Sequence, residues 1–196
     1  MGNLRERVRR ADAAALRAWG HVGTAALQVA MAALGIGPGD EVILPAWTWY
    51  SCYNAIVLAG ALPVFAESDE SLNINPNDIE HRITPQTKAI MAVHIEGCPC
   101  DMDRILPIAR KHEIKVLEDS AQSLGTSYKG KPLGSIGDIA IYSFQFCKTI
   151  TLGEGGAVVT DDPVLFERAC RFHDWDRCGR NWTKNWVGKG LPTMWD

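Results

Sequence analysis

No stretch of this chain stays apolar for the roughly 20 residues that a membrane-crossing helix needs, so no membrane association is expected. The first residues carry charge but lack the apolar core of a secretory signal, which makes a cytoplasmic protein the expectation. Lys and Arg number 20 against 23 Asp and Glu, a net charge of -3. Without a broad basic excess to neutralise phosphates, no nucleic-acid partner is expected. The early arginines (Arg5, Arg7, Arg9, Arg10) are interleaved with Glu6 and Asp12 and read as a solvated helix face. The six cysteines are irregularly spaced, which suits reduced thiols rather than a disulfide framework. Cys98 and Cys100 stand too close for a zinc knuckle and no second pair follows, so even with His94 nearby no metal is expected. No internal repeat or low-complexity linker divides the sequence.

What is present suits one soluble globular core: 196 residues, 46% hydrophobic and 22% charged. Residues 24–34 are strong helix formers stopped by Gly35. Residues 41–45 form a short apolar run between turn residues, the mark of a buried strand. A helix over 49–59, a strand over 62–65 and a helix opened by Asn75 and Pro76 follow. Strands are predicted at 88–94, 114–118, 138–144 and 156–161, with a helix capped by Asp101 running to about His112 and another over 163–172. Strands apolar on both faces that alternate with helices predict an α/β fold, a mostly parallel sheet covered on both sides. Residues 173–196 hold four tryptophans and no periodicity, and read as an irregular tail.

A parallel sheet gathers ligand-binding loops at the carboxyl ends of its strands, which points to residues 46–49, 94–97, 119–122 and 143–148. Asp119 closes an apolar strand, so its carboxylate is partly desolvated and needs a cationic partner, such as a protonated pyridine nitrogen. Taken alone it reads as a turn or cap aspartate. Lys148 follows a strand and precedes Gly153, Gly155 and Gly156; a lysine that binds an aldehyde must be held on a rigid element away from full solvation. Alone, it is an ordinary loop lysine. Ser143, five residues earlier, could reach a phosphate. Gly23, Thr24 and Ala25 open the first long helix, whose free N–H groups make an anion site. Trp49 could stack on a planar cofactor or pack in the core.

The order and local sequence of these residues decide between the readings. The stretches GTAALQVAMAALGIGPGDEVILPAWTW (23–49), NAIVLAGALPVF (54–65), TKAIMAVHIEG (87–97), VLEDSAQSLG (116–125) and GSIGDIAIYSFQFCKTITLGEGGAVVTDD (134–162) resemble the DegT/DnrJ/EryC1/StrS family of aminotransferases dependent on pyridoxal phosphate (PLP). The resemblance implies a three-layer α/β/α large domain of the aspartate aminotransferase-like, fold type I kind over residues 21–172. It implies that Asp119 pairs with the pyridinium nitrogen and that Lys148 binds the cofactor and shuttles a proton. Ser143, with the backbone at Thr24 and Ala25, holds the phosphate; Trp49 stacks on the ring; Gln122 lies beside the cofactor's oxygen. Lysine at 148, where a dehydratase branch of the family carries histidine, favours transamination. The implied reaction moves an amino group from glutamine or glutamate to a ketosugar or keto-cyclitol, as in antibiotic or cell-surface sugar synthesis, in a homodimer.

Two departures stand beside the resemblance. Residues 1–20 do not look like the family's usual lead-in, and His21 and Val22 precede the Gly-Thr turn. The sequence also stops before the family's smaller C-terminal domain. Besides the aminotransferase, two readings stay open: a PLP-dependent nucleotide-sugar dehydratase, and a non-catalytic subunit paired with a full-length partner.

Overall fold

The computed structural model describes residues 16–20 and 23–173. The expectations for residues 1–15 and for the tryptophan-rich tail after His173 lie outside the described residues. In chain order the elements are β1 (Leu16–Gly20), α1 (Gly23–Leu34), β2 (Glu41–Pro45), α2 (Tyr50–Leu58), β3 (Leu62–Ala66), α3 (Pro76–Arg82) and β4 (Thr87–Val93). They continue with α4 (Met102–Lys111), β5 (Lys115–Asp119), β6 (Ser127–Tyr128), β7 (Lys131–Pro132), β8 (Ile139–Ser143), β9 (Gly156–Thr160) and α5 (Pro163–His173).

Seven strands form one sheet in the order β1-β9-β8-β5-β4-β2-β3, and β6 and β7 make a separate hairpin. The pairs from β8 through β3 are parallel, whereas β9 runs antiparallel to both β8 and β1. The mostly parallel sheet follows from helix-borne connections: β2 reaches β3 through α2, and β4 reaches β5 through α4, each long enough for a crossover.

Alternation along the strands decides what each face buries. Val42 and Leu44 of β2, Met91 and Val93 of β4, Leu117 of β5, and Ile139 and Ile141 of β8 point into one core. That core is closed by Leu27, Ala30 and Met31 of α1, Cys52 and Ile56 of α2, and Leu165 and Ala169 of α5. Ile43, Ile90, Ala92 and Val116 point the other way, against Ile79 of α3 and Met102, Ile105 and Ala109 of α4. The result is a three-layer α/β/α arrangement. Full burial of each such Leu, Ile or Met contributes about 1.5–3 kcal/mol.

Local signals in the sequence set the helix ends. Asn75 caps α3 by accepting a hydrogen bond from Asn77 N–H at 2.9 Å, with Pro76 in the first turn. Gly35, at φ 73°, ends α1 and lets Ile36 N–H bond back to Met31 O at 3.0 Å. Two expectations need correction. Asp101 makes no side-chain cap on α4; its Oδ1 instead accepts from Tyr128 of β6 at 3.2 Å, because the hairpin lies over the helix start and takes the carboxylate. The sheet also begins before residue 21: Leu16–Gly20, set apart by sequence as part of a leading segment, pairs with β9 in full register. A five-residue antiparallel edge strand carries too little apolar signal to stand out.

Candidate functional site

Period-2 alternation, applied to the last residues of β5 and β8, puts Asp119 on the face of Leu117 and Ser143 on the face of Ile141. Both therefore open toward α1 and α2 at the carboxyl ends of their strands. There they line a cavity of about 880 Å³ together with Thr24, Trp49, Gln122 and Lys148. Six of the seven residues singled out in the sequence thus converge. The seventh, Ala25, sits in the same first turn of α1 but is not among the lining residues.

Asp119 is 5% exposed. Its Oδ1 accepts from Ala121 N–H at 3.0 Å and its Oδ2 from the Cys52 thiol at 3.2 Å. Burial pushes this carboxyl above the ordinary carboxylate value; the two hydrogen bonds and the nearby charge of Lys148 pull against it without offsetting it. A carboxylate held in this way gains from a cation placed in the cavity. Cys52 is pushed up in turn, first by burial and then by the Asp119 charge.

At another wall the start of α1 meets Ser143. A Cβ at Gly23 would lie 2.7 Å from Ser143 Cβ and 2.8 Å from its Oγ, so only glycine lets the helix end approach this closely. The first-turn N–H groups of a helix have no intrahelical acceptor and favour an anion. Hydroxyls gather beside them: Thr24 Oγ1 and Ser51 Oγ are 2.8 Å apart, and Ser51 and Ser143 are both buried.

Lys148 sits on a loop closed at both ends of its span. Phe144 N–H donates to Gly155 O at 2.8 Å, Leu152 N–H to Phe144 O at 2.9 Å, and Lys148 N–H to Gln145 O at 2.9 Å. Gly153, at φ 79°, makes the turn that lets the chain return. Trp49 is 60% exposed and stacks at a tilt on Tyr50, with ring centroids 5.2 Å apart, so it belongs to the cavity rim rather than the core. Gln122 Oε1 accepts from Glu96 N–H at 2.7 Å. A backbone N–H can only donate, which fixes the amide orientation and leaves the Gln122 NH₂ free to donate elsewhere.

Ser51 and Cys52 were not legible in the sequence as site residues. Both lie in the first turn of a helix, and only the packing of α2 over β5 and α1 brings them to the cavity. A serine and a cysteine just after Trp49, following a strand's carboxyl end, are the signal that could have found them. His94, weighed as a metal ligand, is instead bonded to Glu118 on the opposite face of β5, and no cluster of three or more metal-binding side chains occurs among the described residues.

Comparison with known proteins places the chain beside aminotransferases. The chain is 50% identical over 151 residues to GDP-perosamine synthase of Escherichia coli O157:H7, covering 76% of this chain and 42% of the synthase. An aminotransferase from Psychrobacter cryohalolentis superposes with a TM-score of 0.79 at 44% identity, over 84% of this chain and 42% of that one. NtdA from Bacillus subtilis, solved with bound cofactor PMP, superposes with a TM-score of 0.74 at 35% identity, over 80% of this chain and 35% of that one. The chain therefore spans less than half the length of these relatives. Residues 18–191 match the family model described as the DegT/DnrJ/EryC1/StrS aminotransferase family. With that match covering every cavity-lining residue from Gly23 to Glu154, the chain belongs to the DegT/DnrJ/EryC1/StrS aminotransferase family.

Proposed function

We propose that this chain forms the cofactor-binding part of a PLP-dependent aminotransferase that moves an amino group from glutamine or glutamate to a ketosugar or keto-cyclitol. The observation that carries the reading is the single cavity in which the buried Asp119 carboxylate, the Lys148 amine and the glycine-opened start of α1 all take part. PLP has a basic ring nitrogen, an aldehyde and a phosphate, and the residues present fit each of them. Bound PLP supplies the aldehyde that takes up an amino group and the ring that draws electrons from the reacting carbon.

Everything else is the work of the chain's own residues. Asp119, raised by burial, stabilises a proton on the ring nitrogen facing it. Lys148 would hold the cofactor's aldehyde through its amine and would serve as the general acid–base that carries a proton at Nζ. Ser143, Thr24 and the N–H groups at the start of α1 hold the phosphate and fix the ring's direction. Trp49 offers an aromatic face, and the Gln122 NH₂ donates to an oxygen on the ring. Homodimer formation, expected from the resemblance, belongs to the same proposal, as does a sugar-like acceptor; perosamine synthase at 50% identity supports the latter.

The test begins with purified chain and PLP, following the visible absorbance band of the bound cofactor. Wild type should show the band and Lys148→Ala should lose it. Added glutamine or glutamate should then bleach the band, and a keto-sugar nucleotide should restore it with an amino sugar detected by mass spectrometry. A band indifferent to Lys148→Ala would sink the assignment.

A further inference from the structure

Cys52 is the third residue of α2, 1% exposed, and set between Thr48 and Asp119 in the cavity wall. Its sulfur is 3.2 Å from Asp119 Oδ2 and 3.1 Å from Thr48 Oγ1. An ionised carboxylate can only accept, so the thiol proton points at Oδ2 and the Thr48 hydroxyl donates to the sulfur behind it. The chain of donors runs one way, from Thr48 through Cys52 to Asp119. The other oxygen, Oδ1, takes the Ala121 N–H at 3.0 Å. With a donor on each oxygen, the carboxylate cannot turn about its own axis without breaking one of them.

We propose that Cys52 is a positioning residue for Asp119, its thiol braced by Thr48 and fixing the carboxylate plane so that the free lone pairs face the cavity. The inference rests on reading the cavity as a cofactor site, because it states how the carboxylate that meets the ring nitrogen is aimed. A thiol suits the task. It is a weak donor, so it sets direction while withdrawing little charge from a carboxylate that must stay basic toward a cation. A methyl group in its place leaves Oδ2 without its donor inside a dry wall.

Two readouts test it, the first on the chain without cofactor. The S–H stretch of Cys52 is isolated as the infrared difference between wild type and Cys52→Ala. It should lie below that of the exposed thiols Cys98 and Cys147 and move up in Asp119→Asn. An S–H band that Asp119→Asn leaves unmoved overturns the contact, whatever the chain binds. The second readout is the PLP dissociation constant. Cys52→Ala should weaken binding by about two- to tenfold, the worth of one hydrogen bond. Cys52→Ser should recover most of the affinity, and Cys52→Val, which fills the space without donating, should bind as poorly as Cys52→Ala. Wild-type affinity in Cys52→Val, or equal losses in the serine and alanine variants, would assign Cys52 to packing alone and overturn the positioning role. A wild-type chain with no PLP band sinks the cofactor reading and the role with it, while the infrared shift decides the contact separately.

Discussion

His94 Nε2 stands 3.0 Å from Glu118 Oε2, and neither side chain has any solvent exposure. The Nδ1 of the same ring accepts from Cys100 N–H at 3.1 Å, so the ring proton sits on Nε2 and is donated to Glu118. Glu118 also receives the N–H groups of Gly134, Ile136 and Gly137, at 2.9, 2.7 and 2.6 Å. Asp119 and Glu118 are therefore neighbours in sequence with opposite duties. One faces the cavity with a single donor on each oxygen, and the other is saturated and ties β4, β5 and the loop before β8 together.

That saturation predicts an acid-side stability effect. Burial alone would raise the Glu118 carboxyl, but the His94 ring and the glycine N–H groups outweigh it and hold it below its ordinary value. A depressed carboxyl contributes stability that is complete above the unfolded value and lost as pH falls through the lower folded one. Glu118→Gln turns an NH₂ group toward an array of donors, an uncompensated buried clash. Leaving a buried donor unpaired in this way costs about 1–3 kcal/mol, and for a domain of this size each kcal/mol lowers Tm by about 2–4 °C. Thermal melts from neutral pH down should show the gap between variant and wild type wide at neutrality and narrowing in acid. A gap that grows in acid would contradict the linkage.

Asp119 carries the opposite sign. Its carboxyl is raised by burial, so its ionisation opposes folding: the contribution is favourable below the ordinary value of 3.8 and lost as pH rises through the folded one. Asp119→Asn should therefore raise the Tm of the cofactor-free chain at neutral pH, by about 2–4 °C for each kcal/mol relieved, and change little in strong acid. The same variant should lose the stabilisation that PLP gives wild type, because the cation-binding charge is gone. A cofactor-free melt that falls at neutral pH, or a PLP-induced gain that survives, counts against a site built at the expense of stability.

Much of this site was legible because strand periodicity and strand ends can be read from sequence. Asp119 and Ser143 follow apolar runs of alternating partners, and Lys148 stands before a glycine turn that only a closing loop requires. The resemblance then joined them. Other features were hidden for physical reasons. The direction of β9 depends on the seven residues that turn the chain between Lys148 and Gly156 rather than on its own apolar pattern, which suits either direction equally. Cys52 matters through the packing of a helix over a strand 67 positions away. Glu118 finds its partners in a loop 16 to 19 residues later, beyond the reach of any local spacing rule.

The close approach of α1 to Ser143 predicts a compensating pair. Gly23→Ala places a methyl group inside the contact distance of Ser143, and overpacking of this kind typically costs about 1–3 kcal/mol. The helix start must back away, so affinity for PLP should fall at least tenfold and inorganic phosphate should no longer compete with it. Ser143→Gly in the Gly23→Ala background removes the obstructing atoms. The double variant should regain the lost Tm yet stay weak in PLP binding, since the Ser143 hydroxyl is missing. Recovery of affinity along with stability would show that Ser143 acts only as a spacer.

Gln122 separates positioning from contact. Its Oε1 is taken by Glu96 N–H, in a turn where Glu96 itself holds φ at 50°, an uncommon conformation for a non-glycine residue. Gln122→Glu keeps an oxygen for that N–H and preserves the turn, but replaces the free NH₂ donor with a second acceptor. Gln122→Ala removes both. If the NH₂ donates to an oxygen of the bound ring, Gln122→Glu should weaken PLP by more than Gln122→Ala does, because an acceptor facing an acceptor repels where a methyl group is merely silent. The stabilities should order the other way, with the alanine variant melting lower because the Glu96 turn loses its tie. Parallel titrations and melts of the two variants give both rankings. Identical rankings in affinity and in Tm would show that Gln122 serves the turn and never meets the ligand.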